Sequence, residues 1–65
     1  MEYVYVVQNE SKVLAVFANI VDATNYVLNY AQLELGYPDG EIPWYDVPWR
    51  FGWQEIWWSK EIVRE

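Results

Sequence analysis

All five tryptophans of this chain fall between residues 44 and 58, and the whole chain is only 65 residues long. That concentration limits what the rest can fold into. Burying one Trp removes about 200 Å² from water, worth at most about 5 kcal/mol. A chain of this size buries only about 60% of its unfolded surface and needs such mass, or a staple, to stay folded. With no cysteine there is neither a disulfide nor a thiolate metal site, and with no histidine the commonest metal ligand and the neutral-pH proton shuttle are missing. Aromatic mass, at 20% of the sequence, and self-association remain.

Glu2 to Gln8, EYVYVVQ, is β-branched and aromatic and reads as a strand. The polar NES follows, and KVLAVFA at 12–18 reads as a second strand, closing a hairpin over 2–18. In the first strand Tyr3, Tyr5 and Val7 oppose Val4 and Val6, so both sides are apolar and both need cover. Asn19 is placed to cap a helix over 20–35, with Asp22 in its first turn. Ile20, Ala23, Thr24, Val27, Leu28, Ala31 and Leu35 share one helical side, and Gly36 and Pro38 mark the end.

Residues 36–52 hold all three prolines and all three glycines. Pro38-Asp39-Gly40 suits a turn, and the apolar-Pro-Trp pattern occurs twice, at Ile42-Pro43-Trp44 and Val47-Pro48-Trp49. This segment reads as a stiff, extended loop. Residues 53–63, WQEIWWSKEIV, fit helix and strand periodicities about equally. The strand is preferred, with Ile56, Trp58 and Ile62 on one face, because two strands and a helix leave the sheet a member short. The expected fold is a single α+β domain over 1–65: a ββαβ unit whose antiparallel sheet carries one helix on one face. Its third strand lies beside the first, and a Trp/Pro-rich segment precedes that strand. The face away from the helix is expected to show Tyr3, Tyr5 and Trp57, covered by the proline-tryptophan ribbon or by a second subunit.

Ten acids against four bases give a net charge of −6. That balance opposes direct contact with nucleic acid or an anionic membrane, and favours a basic protein surface as partner. The opening MEYVYVV lacks a basic segment and a long apolar run, so a cytoplasmic location is expected. Glu34, Asp39, Glu41 and Asp46 fall within thirteen residues with no base between them, but without the spacing of a calcium loop. Ser11, Ser59 and Thr24 have no histidine to activate them. A non-enzymatic protein without metal or cofactor is expected.

The stretch VYVVQNESKVLAVFANIVDATNYV, residues 4 to 27, resembles small acidic accessory proteins encoded by phages, in which a short hairpin ending in a Val-Phe pair leads into an alanine-containing helix. The matching residues are Val16-Phe17, Ala23 and Tyr26, and the tryptophan-rich half lies outside the pattern. The resemblance implies an inhibitor of a host nucleic-acid enzyme or defence protein, in some cases a DNA mimic, acting in the host cytoplasm. Trp44, Tyr45 and Trp49 are the expected partner-binding anchors, with Asp39, Glu41 and Asp46 steering the encounter. Two other readings follow from the same residues: a homo-oligomer with tryptophans at its subunit interface, and a small-ligand binder that stacks its ligand on Trp.

Overall fold

The computed structural model describes residues 2–38 and 49–64. It holds strands β1 (Glu2–Asn9), β2 (Val13–Phe17), β3 (Arg50–Gly52) and β4 (Ile56–Arg64), with helix α1 (Ile20–Leu33) between β2 and β3. The four strands form one antiparallel sheet in the order β2-β1-β4-β3. The small α+β architecture expected from the sequence is therefore present, with the hairpin first and the C-terminal strand beside β1.

Local chemistry explains each junction. The Asn9 side-chain oxygen accepts from the Ser11 and Lys12 N–H groups, both at 2.8 Å, and folds the polar NES into the hairpin turn. Asn19 sits in extended backbone geometry, and its Oδ1 accepts from the Val21 N–H at 2.7 Å, which starts α1. The helix ends at Leu33, two residues short of the expected limit. Gly36 takes φ +74°, and the turn it makes brings the Tyr37 N–H to the Ala31 carbonyl at 3.0 Å. Leu35 is thus outside the helix, and Ile20 is exposed.

The core lies between α1 and the two central strands. Val7, Ala23, Val27, Ala31, Trp53, Ile56 and Trp58 are buried. The small side chains at 23, 27 and 31 recur every four residues, so one flank of α1 can approach the sheet closely. Trp58 fills the space this leaves. Its indole N–H donates to Thr24 Oγ1 at 3.0 Å, its ring meets Tyr5 edge-on at 5.1 Å, and Phe51 stacks on it at 6.0 Å. Val7 lies opposite Trp58 in the ladder, so both point to the helix side.

That pairing corrects one expectation. Tyr3 and Tyr5 alternate with Val4 and Val6 and share the side of Val7, so they face the helix side rather than the opposite one. Trp57 does lie on the face away from α1, opposite Gln8, with the Arg50 guanidinium 4.7 Å above its ring. A bulge between Val7 and Gln8 shifts the β1–β2 register at Leu14, and both Leu14 and Ala15 pack against the core.

Strand β3 is a second correction, because residues 36–52 were expected to be loop throughout. It has only three residues, too few to show a periodicity, and one is glycine. Gly52 takes φ +140°, and a Cβ there would collide with the Ile56 carbonyl oxygen and lie 2.6 Å from Trp57 Cα. The chain then turns through 53–55, closed by the Trp53 N–H on the Ile56 carbonyl at 2.8 Å. Trp53 therefore belongs to this turn and not to β4, and its ring stacks on Tyr37 at 5.3 Å.

The two glycines predict different costs. Gly52→Ala should destabilise the protein by about 3 kcal/mol or more, since backbone must move. Gly36→Ala, with open space around its Cβ position, should cost only about 1–2 kcal/mol. Equilibrium unfolding in urea measures both, and equal losses would show that Gly52 has room the geometry denies.

Candidate functional site

The β1–β4 ladder extends past the core and carries the site at its far end. Tyr3 lies opposite Ile62, and Tyr5 opposite Lys60, so Tyr3, Lys60 and Ile62 project to the helix side of the sheet. Trp49 immediately precedes β3, and its carbonyl accepts from the Lys60 N–H at 2.7 Å, which fixes its backbone beside that residue. Tyr3, Trp49, Lys60 and Ile62 together line an open groove of about 310 Å³.

The groove is built from aromatic and aliphatic walls with one cation. Lys60 Nζ lies 4.1 Å from the centre of the Tyr3 ring, so the ammonium rests on the ring's electron-rich face. Trp49 is 56% exposed, and Ile62 55%, which leaves an indole face and a branched side chain open at the same mouth. Among the described residues no carboxylate lines the groove, and they contain no group of three acids able to hold a metal. The arrangement suits a planar or branched apolar side chain pressed between rings.

Of the six residues expected at the site, the structure places Trp49 in this groove. Asp39, Glu41, Trp44, Tyr45 and Asp46 lie outside the described residues, as do most of the turn at Pro38-Asp39-Gly40 and the first proline-tryptophan repeat. Glu34, the acid before them in sequence, follows the C-terminal end of α1 and does not line the groove. Tyr3, Lys60 and Ile62 were not singled out by the sequence. Their convergence depends on the register of two strands more than fifty residues apart, and nothing local to any of them marks it.

The remaining described tryptophans divide clearly. Trp53 and Trp58 are buried, while Trp57 is half-buried under Arg50. No helix among the described residues is long and apolar enough to cross a membrane. Comparison with known proteins returns no match, whether to a family model, a curated protein or a solved structure.

Quenching of tryptophan fluorescence by acrylamide checks this division. Trp49→Phe should lower the mean quenching constant, because it removes an accessible emitter, and Trp53→Phe should raise it by removing a shielded one. The reverse order would place Trp49 in the interior.

Proposed function

We propose that this chain is a non-enzymatic binding module, an inhibitor or accessory factor that docks on a basic surface of a larger, nucleic-acid-handling or defence protein. The observation that carries the reading is Trp49, whose indole is exposed at the mouth of a groove walled by Tyr3, Lys60 and Ile62 and whose backbone carbonyl accepts from the Lys60 N–H. Tryptophan is among the residues most enriched where binding energy concentrates. The net charge of −6 acts at longer range. It draws the chain towards a positive surface and speeds the encounter, and Trp49 then supplies the close contact.

Lys60 does not oppose this division of labour. Its ammonium is already set against the Tyr3 ring, and it is one of four bases against ten acids. Asp39, Glu41 and Asp46 join the proposal as the steering carboxylates, and Trp44 and Tyr45 as further anchors.

Affinity capture from bacterial lysate with the tagged chain, washed at low and at high salt, tests the reading. The expected result is a stoichiometric partner that high salt releases. Trp49→Ala should weaken its binding by about 2 kcal/mol, roughly thirtyfold. Reversal of Asp39 and Glu41 to Lys should chiefly slow association and flatten its salt dependence. A partner held equally well by folded Trp49→Ala, at every salt concentration, would remove the groove from the binding surface.

A further inference from the structure

The Trp49 groove carries one charge and leaves it unpaired. Lys60 Nζ rests 4.1 Å from the centre of the Tyr3 ring, and no described carboxylate pairs with it. In a chain with ten acids for four bases, such an ammonium is an exception. Strand geometry accounts for the nearest acid: Glu61 follows Lys60 on β4, and successive side chains leave a strand on opposite faces. Glu55, in the turn before β4, accepts from the Tyr37 hydroxyl at 2.6 Å instead.

The ladder fixes where this charge stands. Lys60 is paired with Tyr5 of β1, diagonal to Tyr3, and its N–H donates to the Trp49 carbonyl at 2.7 Å. The side chain is half-buried, and the open groove lets water complete the ammonium's shell. A surface that closes on Trp49 and Ile62 removes that water. The Tyr3 face offsets only part of the loss, and a cation buried without a counter-charge is strongly unfavourable.

We infer that the partner surface closing on this groove carries a carboxylate, an Asp or Glu side chain, opposite Lys60, beside an apolar residue that lies on Trp49. The inference rests on the docking reading above and adds the chemistry that the groove selects. A carboxylate supplies both the counter-charge and the acceptor oxygens that Lys60 lacks, whereas a partner lysine or arginine would meet it with like charge. Trp49 and Ile62, 56% and 55% exposed, offer the flanking contact to an uncharged side chain. The net charge of −6 repels a small free acid, but a partner that is basic elsewhere carries its one acid in. Such a partner docks in a single orientation, because a turn that takes its acid away from Lys60 sets a base there.

Capped peptides test the inference on the chain alone. Acetyl-Lys-Phe-Glu-Lys-amide, its Gln counterpart and its Lys counterpart are titrated at about 0.15 M salt, where the Debye length is about 8 Å. Binding is followed by NMR at the Trp49 indole N–H and the Lys60 amide. The Glu peptide should bind about threefold tighter than the Gln peptide, and the Lys peptide weakest, although the chain's net charge favours the opposite order. Lys60→Met should erase the advantage of Glu and keep the shift at Trp49. Equal binding of Glu and Gln peptides overturns the inference, as does an order that follows peptide charge, or no shift at Lys60 with millimolar peptide. The wild-type series decides the matter even if the variant fails to fold. Failure of the docking reading is a separate result, a captured partner indifferent to Trp49→Ala, and it leaves the peptide order unchanged.

Discussion

The fold depends on one side chain. Trp58 is the point at which the helix, the central ladder and the short edge strand meet: through Thr24 it holds α1, through Tyr5 it touches β1, and through Phe51 it reaches β3. A buried indole whose N–H had no partner would lose about 1–3 kcal/mol. Thr24 removes that penalty and at the same time sets the helix over the sheet. Ala23, Val27 and Ala31 of the helix and Val7 and Ile56 of the sheet are buried in the same core as the ring. With no disulfide and no metal-binding cysteine or histidine, this aromatic junction stands where a small domain often carries a staple.

Much of this was legible in the residues. The hairpin followed from β-branched runs about a polar turn, and the helix from Asn19 and a 3.6-residue apolar period. These are local signals, and the backbone obeys them locally. The side of the sheet that the helix covers was not legible, because β1 is apolar on both faces and its alternation does not choose between them. The choice is made by Trp58, fifty residues away, through its pairing with Val7. Strand β3 was missed for a related reason: three residues, one of them glycine, carry no period, and they become a strand only because β4 offers an edge.

The tryptophan cluster is divided by the same geometry. Adjacent residues on a strand point to opposite faces, so Trp57 and Trp58 cannot both enter one core. Trp58 is buried beneath the helix, and Trp57 is left on the far face under Arg50. Trp53 is turned inward by the tight Gly52 connection, while Trp49, on the other side of β3, stays at the surface. Sequence reasoning named Trp49 as an anchor from its proline-rich setting. It did not find Tyr3, Lys60 and Ile62, whose shared groove exists only once β1 and β4 are paired.

Equilibrium unfolding of Trp58→Ala beside Trp57→Ala tests the central claim most directly, because the two are neighbours of identical chemistry placed on opposite faces. Trp58→Ala should lose about 3–5 kcal/mol, enough to unfold much of a chain this size at room temperature, and Trp57→Ala should lose less than half as much. Equal losses, or a larger loss at Trp57, would mean that the helix packs on the other face of the sheet, and the architecture described above would be wrong.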